Sequence, residues 1–437
     1  MTMSQPGGAP DLPLTSRIGI GIVAATGLGM MVGVGVVLLY TLGVFMPAIA
    51  ADTGWSRSGI AAAAAPALLI VGLCGPLVGL LVDRYGPRRV LLAGVIGQAL
   101  GLVLLGLATP TLGSFALFYA LAALLGAAQA HIPYSFAIAA WFQRRRGTAA
   151  GIGFGLAGVG VGVLPVVSRL LVDGYGWRMA FVALAAIVAA VALPPIYLLM
   201  KDPPVERPTP VAAAAPSRSI TDVLCGPWFW LLALAFTANA FSASAGSVSL
   251  PAMLSEIGVS PVRAAAAMAA VGSSLIVGRV IAGFALDRFP PYRVAVVTFL
   301  LPALGYLLAS VSTGAGGIIV AGICFGAALG AEGDLMTYLL ARRSSMATFG
   351  RLFGIVYVGY SMALGFGPAG LVLLTDGLGR DAAFAMIATC AIIGAVAAGL
   401  ASRAVKGSVA KIVKLEHAWR RLDGRNDDGF QVAPFPG

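Results

Sequence analysis

The sequence is poor in charge. Of its 437 residues only 10% are charged, whereas 59% are hydrophobic and the mean hydropathy is +0.94. A soluble globular domain has about 25% charged residues. Long apolar runs recur from Ile18 to Leu400, and the run from Leu91 to Leu107 is interrupted only by Gln98. Because a helix needs about 20 apolar residues to cross about 30 Å of hydrocarbon, these runs predict an integral membrane protein.

Cysteine is scarce, and the motifs of several enzyme classes are absent. Four cysteines lie far apart without a CxxC pair, which predicts small packed side chains rather than metal ligands or disulfides: Cys74, Cys225, Cys324 and Cys390. The sequence has no GxxxxGK[ST] motif, so direct use of ATP is not expected. No nucleophile–histidine–acid set stands out either. We therefore expect no cofactor, no metal ion and no enzymatic activity.

Short polar segments separate twelve apolar runs, which are the predicted spans. They cover residues 19–50, 57–82, 89–109, 112–141, 147–173, 177–199, 227–254, 263–286, 294–311, 315–340, 350–375 and 381–402. The net charge is +11, but no module for DNA or RNA is visible, and no nucleic-acid partner is expected. Most lysines and arginines fall in the even-numbered connections and the two tails. Cytoplasmic loops retain cations, so both termini are predicted to be cytoplasmic.

An internal repeat divides the predicted spans into two sets of six. The heptapeptide LLVDGYG at 170–176 recurs as LLTDGLG at 373–379, and other pairs such as Asp83 and Asp287 keep nearly the same offset. Six spans per repeat predict two parallel halves related by an axis along the membrane normal. The predicted domains are a tail (1–18), a first half (19–200), a Pro-rich and Ala-rich linker (201–226), a second half (227–403) and a basic tail (404–437).

The connection after span 2 carries a family signature. It reads GLLVDRYGPRR from Gly79 to Arg89, and it resembles the loop G-x-x-x-D-R-x-G-R-(R/K) of the major facilitator superfamily of transporters. The resemblance implies an all-α membrane protein with twelve transmembrane helices in two pseudo-symmetric six-helix halves. It also implies that the loop aspartate lies against a helix N-terminus and the loop arginines, stabilising one access state. The gating-loop residues are Gly79, Asp83, Arg84, Gly86, Arg88, Arg89, Asp287 and Arg288.

Four longer stretches resemble one branch of that superfamily, the monocarboxylate porters and oxalate–formate exchangers. They are GWSRS at 54–58, WFQRRRGTAAGIGFGLAGVGVG at 141–162, GRVIAGFALDR at 278–288 and GAEGDLMTYLLARR at 330–343. In that branch an arginine in span 8, with a glycine four residues later, is linked to carboxylate binding, and Arg279 with Gly283 matches. The animal members have an aspartate where this chain has Leu275. The lysine that some members carry in span 1 or span 11 is also missing.

Arg279 is the outstanding candidate for substrate binding. It precedes Asp287 by eight residues, which places it about 12 Å deep on a helix. An arginine at that depth costs at least about 2.5–3.5 kcal/mol unless it faces water or a partner. Its planar guanidinium suits a carboxylate. The alternative is a structural ion pair, for instance with Glu332 or Asp334.

Two carboxylates and one histidine are candidates for proton coupling. Glu332 and Asp334 stand two apart on predicted span 10, so only one of them can face the central cavity. A buried carboxyl group can carry a proton, but the pair could also brace span 10. Histidine titrates near neutrality, so His131 could bind substrate or relay protons; alternatively it is a satisfied polar side chain at a kink beside Pro133.

Several further side chains have a functional and a structural interpretation. Tyr40, Asn239, Ser242, Tyr357 and Tyr360 are candidate hydrogen-bond partners of a substrate, with helix packing as the alternative. Arg169 and Asp173 predict a local ion pair. The glycines of 153–158 match GxGxxG, but they lie inside a predicted span without a preceding strand, so they predict helix packing and no dinucleotide site. The basic stretch 403–421 could lie on the anionic inner leaflet or be a solvated tail.

Together these features predict a secondary active transporter of the plasma membrane, which in a bacterium is the inner membrane. Its substrate would be a small organic anion, most simply a monocarboxylate, moved by alternating access with proton coupling or exchange. The alternative is transport of another small solute: a drug, a sugar or a dicarboxylate such as oxalate. The partners would be the substrate, the lipid bilayer and protons, and we expect the chain to function as a monomer.

Overall fold

The computed structural model describes residues 11–107, 111–203, 220–312 and 314–422, and helix is the only regular structure in these ranges apart from turns. Most of the predicted linker and the ends of both tails lie outside the described residues, as do the side chains of 406–422. The predicted leaflet contact of the basic tail falls on those side chains.

The helices follow the predicted spans closely. In order, their bounds are Arg17–Met31 with Val34–Thr53 (span 1); Arg57–Ala64, Pro66–Leu73 and Gly75–Tyr85 (span 2); Pro87–Leu107 (span 3); Leu112–Gly126 with His131–Trp141 (span 4); Arg146–Leu199 (spans 5 and 6); Pro227–Glu256 (span 7); Pro261–Arg288 (span 8); Pro291–Val311 (span 9); Ala315–Ala341 (span 10); Met346–Leu378 (span 11); and Arg380–Leu422 (span 12). A short helix, Ile220–Leu224, precedes span 7. Among the described residues, ten helices are long and apolar enough to cross a membrane, and span 2 makes eleven when its bent pieces are taken together.

Spans 5 and 6 together form the continuous helical segment Arg146–Leu199, which counts as one of these eleven. Its 54 residues would extend about 80 Å as a straight helix, far more than one crossing needs. At Gly176 the backbone leaves the helical region with φ 74° and ψ 162°. Shortly after, the Arg178 carbonyl lies against Gly106 at the end of span 3, whereas the Lys201 carbonyl accepts a hydrogen bond from Trp141 at the end of span 4. The segment therefore reverses at Gly176 and crosses twice, which gives the predicted twelve spans.

Glycines with positive φ occupy matching positions in the two halves. Gly54 and Gly258 have φ of 73° and 75°, and Gly176 and Gly379 have φ of 74° and 86°. Side chains with a Cβ rarely adopt this conformation, so glycine is the residue of choice at such turns. The repeated heptapeptide thus ends at the same turn in each half, and the pseudo-symmetry expected from the sequence is present in the backbone.

The halves meet through pairs of glycines. A Cβ built on Gly283 of span 8 would lie 2.5 Å from the Gly147 carbonyl oxygen of span 5, and one on Gly79 of span 2 would overlap the Gly350 carbonyl of span 11. Small residues allow helix backbones to touch. Inside span 5, Gly158 lies against Ile276, which confirms a packing role for the GxGxxG glycines. The two glycine pairs are related by the repeat.

Three spans are broken at positions that the sequence did not predict, and span 2 is one of them, since it divides into three helices at Ala65 and Cys74. Span 1 is interrupted after Met31, and span 4 passes through a 3-10 turn at Ala127–Gln129. Buried amides cover the freed carbonyls: Gln98 donates to Val32 at 3.2 Å and Gln129 donates to Gly29 at 3.3 Å. This explains the single polar residue in the long apolar run of span 3.

The cysteines lie in different environments. Cys324 is buried, and Cys74 and Cys390 are half-buried, as expected for small packed side chains. Cys225 is exposed, so the prediction of packing is wrong for this one residue. It falls in the short connection between the helix Ile220–Leu224 and span 7, which the hydropathy pattern did not distinguish from a span end.

Candidate functional site

One end of the bundle, which we call the cation-rich face, carries the connections after spans 2, 4, 8 and 10. The carboxylate of Asp83, at the end of span 2, accepts hydrogen bonds from the backbone N–H groups of Gly350 at 2.7 Å and Arg351 at 3.1 Å. The Arg351 Nε donates to the same carboxylate at 3.2 Å. These residues lie in the first turns of span 11, where the helix dipole also favours an anion. We call this contact the first clasp.

A second clasp occupies the equivalent place in the repeat. Asp287, at the end of span 8, accepts from the backbone N–H groups of Gly147 at 2.9 Å and Thr148 at 2.8 Å, in the first turn of span 5. The Thr148 hydroxyl donates to it at 2.6 Å. Each clasp joins one half to the other, because spans 2 and 5 belong to the first half and spans 8 and 11 to the second.

The loop arginines do not surround Asp83, contrary to what the family resemblance implied. Arg88 donates its Nη2 to the Tyr197 carbonyl at 2.6 Å, and its backbone N–H donates to Asp202 at 3.1 Å. The arginine on Asp83 is Arg351 of span 11 instead. Gly86 has φ 82° and lies so close to Asp202 that a Cβ would come within 2.7 Å of the carboxylate. The signature loop is therefore held to the end of span 6.

Arg279 lies between the halves, nine residues before the end of span 8. Only 6% of its surface is exposed. Its Nη1 donates to the backbone carbonyl of Phe154, on span 5, at 3.0 Å, and its guanidinium carbon lies 5.9 Å from the centre of the Phe154 ring. Its Nε has no hydrogen-bond partner. The proposed ion pair with Glu332 or Asp334 is not formed within 4 Å among the described residues. The cation is thus held by a neutral acceptor.

The two carboxylates of span 10 are both buried but have different surroundings. Glu332 accepts a hydrogen bond from Asn239 Nδ2 on span 7 at 2.6 Å, and both side chains are fully buried. Asp334 is also fully buried, but neither of its oxygens has a hydrogen-bond partner. Because unpaired buried polar groups are rare in folded proteins, Asp334 is the more unusual of the two.

Helix register brings Asp334 to the level of Arg279. Gly326 lies against Val271, and Gly330 lies against the Leu275 carbonyl, so each turn of span 10 matches one turn of span 8. One further turn on both helices leads to Asp334 and Arg279, and the two side chains interact electrostatically. Span 10 therefore supplies a carboxylate beside the arginine, although Leu275 of span 8 does not.

His131 lies in the same region, at the start of the second helix of span 4. Its Cδ2 would be 3.5 Å from a Cβ on Gly333, so it packs against span 10 of the other half. Its ring centre is 5.7 Å from that of Phe154 and 6.2 Å from that of Tyr357. A hydrogen bond of 2.9 Å between the Thr337 and Ser135 hydroxyls continues this contact between spans 10 and 4.

The remaining predicted side chains divide into two groups. Tyr40 keeps 43% of its surface accessible, and it and Tyr360 both interact electrostatically with Arg279. The rings of Tyr357 and Tyr360 lie 5.6 Å apart. Ser242, by contrast, is fully buried and donates to the Ile387 carbonyl on span 12 at 3.1 Å, which is the helix-packing alternative. Arg169 and Asp173 form the predicted ion pair at 2.8 Å.

An apolar cavity of about 330 Å³ lies between the two halves, away from the clasps. It is lined by spans 1, 2, 4 and 11, with Leu38, Leu39, Tyr119 and Phe366 among its walls. Within the residues that the structure describes, no group of three or more histidine, cysteine or acidic side chains could hold a metal ion.

Sequence reasoning missed the acceptor of Arg279, the Phe154 carbonyl, because a backbone oxygen has no signature in the sequence. A weak signal lies one turn earlier on span 5, at Gly151. A Cβ built on Gly151 would lie 3.0 Å from the carbonyl oxygen of Arg279. The glycines of span 5 therefore mark where its backbone comes close to the backbone of span 8 around Arg279.

Known proteins resemble this chain in sequence and in fold. The model of the Major Facilitator Superfamily matches residues 20–348 and 232–426. Monocarboxylate transporter 4 of Rattus norvegicus is 26% identical over 328 residues, which cover 72% of this chain and 67% of the relative. The fujikurins efflux protein of Gibberella fujikuroi is 26% identical over 309 residues, covering 69% and 64%. The crystal structure of the fucose:proton symporter of E. coli matches with a TM-score of 0.69 at 17% identity, covering 88% of this chain and 99% of that one.

Proposed function

Since the chain belongs to the Major Facilitator Superfamily, whose members are membrane transporters and not enzymes, we propose that it moves a small organic anion across the plasma membrane. The simplest substrate is a monocarboxylate, moved by alternating access of a site between the halves. The cation-rich face is the cytoplasmic one, since cytoplasmic loops retain cations. Both termini then lie in the cytoplasm. The similarity to a monocarboxylate transporter supports this choice of substrate.

The observation that carries the proposal is the buried guanidinium of Arg279, whose only hydrogen-bond partner among the described residues is a neutral carbonyl. A buried cation without a counter-ion is unfavourable, so an incoming carboxylate would stabilise it. The planar guanidinium can donate two parallel N–H hydrogen bonds, one to each carboxylate oxygen. Because Arg279 belongs to one half and its present partner Phe154 to the other, occupation of the site would change the contact between the halves. A substrate shifts the access states only through such differential affinity.

Asp334 is the proton carrier in this proposal, in preference to Glu332. Its carboxyl group is buried, unpaired and level with Arg279, whereas Glu332 already accepts from Asn239. A proton on Asp334 would leave Arg279 free to bind the substrate carboxylate. Loss of that proton on the other side would let Asp334 compete for the arginine and release the substrate. His131, Tyr40 and Tyr360 line the same region and would orient the substrate.

Transport by purified protein in proteoliposomes tests the substrate. Wild type should accumulate lactate or pyruvate and should exchange external for internal carboxylate. Arg279→Gln, which keeps hydrogen-bond donors but removes the charge, should weaken carboxylate affinity at least about tenfold, equivalent to roughly 1.4 kcal/mol. Full carboxylate affinity in Arg279→Gln would contradict the proposal.

A second candidate function is efflux of a larger, mostly apolar organic solute. The apolar cavity lined by Leu39, Tyr119 and Phe366 and the similarity to a fungal efflux protein favour it. Counterflow with lactate, oxalate, a hexose and a lipophilic cation separates the two functions, since a carboxylate carrier exchanges only the first two. Phe366→Ala should alter transport of a bulky solute and leave lactate exchange unchanged.

A further inference from the structure

A second, larger cavity lies at the cation-rich face, outside the site around Arg279. Its volume is about 1410 Å³. The ends of spans 2, 4, 8 and 10 and the connections after them line it, so both halves contribute. Its charged lining consists of six arginines and three aspartates: Arg84, Arg89, Arg144, Arg146, Arg288, Arg342, Asp83, Asp202 and Asp287.

The three aspartates are already engaged by groups other than these arginines. Asp83 and Asp287 accept the backbone N–H groups of the two clasps. Asp202 accepts the backbone N–H of Arg88. None of these hydrogen bonds comes from an arginine of the lining, although Asp287 interacts electrostatically with Arg146. Six arginines against three aspartates leave an excess of positive charge in the described lining.

Four of the arginines are exposed and have no carboxylate within ion-pair distance in the described part of the chain: Arg84, Arg89, Arg288 and Arg342. The Nε of Arg144 lies 3.7 Å from the Asp11 carboxylate, but the Arg144 side chain is 90% exposed. Exposed ion pairs of this kind contribute little to stability. Arg146 is buried, and its Nε and Nη2 donate to the carbonyls of Phe142 and Ala139 at 2.9 Å. Positive charge from both halves is thus concentrated around one space.

We propose that this cavity binds a multivalent phosphate-bearing anion that bridges the two halves. Guanidinium groups bind phosphate oxygens through paired hydrogen bonds, and the cavity exceeds the roughly 300–1,000 Å³ of ordinary ligand sites. A ligand held by arginines of both halves stabilises the state in which the clasps are formed. It therefore slows transport, by binding one access state better than the other. The phosphate can belong to a soluble polyphosphate or to a lipid headgroup.

Thermal unfolding in nanodiscs of phosphatidylcholine tests the soluble source. Inorganic tripolyphosphate, added at constant ionic strength, should raise the melting midpoint of wild type in a saturable way, because a ligand of the native state stabilises it. The double variant Arg144→Gln with Arg342→Gln removes one arginine from each half and leaves both clasps intact. It should need at least about tenfold more tripolyphosphate for the same shift. Arg57→Gln, an exposed arginine on the opposite face, is the matched control and should respond like wild type.

A second arm tests the headgroup source. The same proteins are placed in nanodiscs with and without phosphatidylglycerol, and no tripolyphosphate is added. A higher midpoint with phosphatidylglycerol in wild type and Arg57→Gln, but not in the double variant, would assign the site to a lipid. In proteoliposomes, the effective anion should slow carboxylate exchange of wild type but not of the double variant. The proposal is overturned if neither anion raises the wild-type midpoint, or if the double variant and Arg57→Gln respond alike. These readouts of binding do not depend on the identity of the transported solute.

Discussion

At the scale of single residues, the arginine between the halves differs from an ordinary buried ion. Arg279 has no carboxylate within 4 Å among the described residues, and its charge is met by the Phe154 carbonyl and ring. An ion pair within the protein would stabilise the buried guanidinium but would compete with the substrate for it. A neutral acceptor keeps the guanidinium oriented while leaving its charge available, which suits the proposed binding and release of an anion.

The shape of the guanidinium should matter as well as its charge. Arg279→Lys keeps the positive charge but replaces the planar fork by a point charge. We expect carboxylate affinity between those of wild type and Arg279→Gln, measured as the Michaelis constant for lactate exchange. Equal affinities in Arg279→Lys and wild type would show that charge alone is recognised.

Asp334→Asn should uncouple transport from protons. The amide cannot exchange a proton, so uptake should no longer increase when the external pH is lowered below the internal pH, while carboxylate exchange continues. Glu332→Gln is the matched control, because its carbonyl can still accept from Asn239, and it should keep the pH-gradient dependence. The opposite pattern, with dependence lost only in Glu332→Gln, would assign the proton to Glu332.

At the scale of helices, the glycine contacts set how closely the halves approach. Gly283 of span 8 touches Gly147 of span 5, whereas Gly272 of the same span has open space around its Cβ position. Gly283→Ala should separate spans 5 and 8 at the cation-rich face and lower the melting midpoint. Gly272→Ala, the control on the same helix, should have no effect or a small stabilising one, since alanine is favoured over glycine in helices. Equal midpoints for the two variants would contradict the close approach.

The helices themselves were largely predictable from the sequence, but their breaks were not. Apolar length and cation placement locate all twelve spans, because membrane thickness and the charge rule act on sequence directly. The interruption after Met31 depends on Gln98 of another span, which covers the freed carbonyl of Val32. A break that is stabilised by a distant side chain leaves no local pattern. The exposed Cys225 was missed for the related reason that a short turn beside a span looks apolar.

The candidate site was predictable in part. The depth of Arg279 and the opposite orientation of Glu332 and Asp334 follow from helix geometry alone. The register between spans 8 and 10, and the Phe154 carbonyl as acceptor, are tertiary facts without a sequence signal. Ser242 shows the limit most clearly: its depth matched the site, but it faces span 12 and bonds the Ile387 carbonyl.

At the scale of the whole molecule, the two clasps hold the halves together at the cation-rich face. Each combines a carboxylate with backbone N–H groups at a helix start, and hydrogen bonds to charged groups contribute about 1.5–3 kcal/mol each. Asp83→Asn or Asp287→Asn should therefore shift the access equilibrium about tenfold toward opening at this face. Because the clasps are on different helices and share no partner, the double variant should show nearly additive shifts.

Thiol labelling measures this opening. Ala140→Cys places a reporter on the wall of the cavity at the cation-rich face, at a position that is only 2% exposed while the clasps are formed. The background carries Cys225→Ser because that native thiol is exposed. Labelling from this face should be faster in each clasp variant and fastest in the double variant. Thr389→Val, which removes a hydroxyl bonded only to its own helix, is the control and should leave the labelling rate unchanged. Unchanged rates in the clasp variants would show that the clasps do not hold the face closed.

The placement of both clasps at a single end makes the carrier asymmetric when it is empty. We expect the empty carrier, held closed at the cation-rich face by the clasps, to open its binding site toward the opposite face. Solute at the cation-rich face can bind only after both clasps have opened. The solute concentration that gives half-maximal transport should therefore be lower for solute added at the opposite face than for solute added at the cation-rich face, even though the proposal assigns the same Arg279 to both directions.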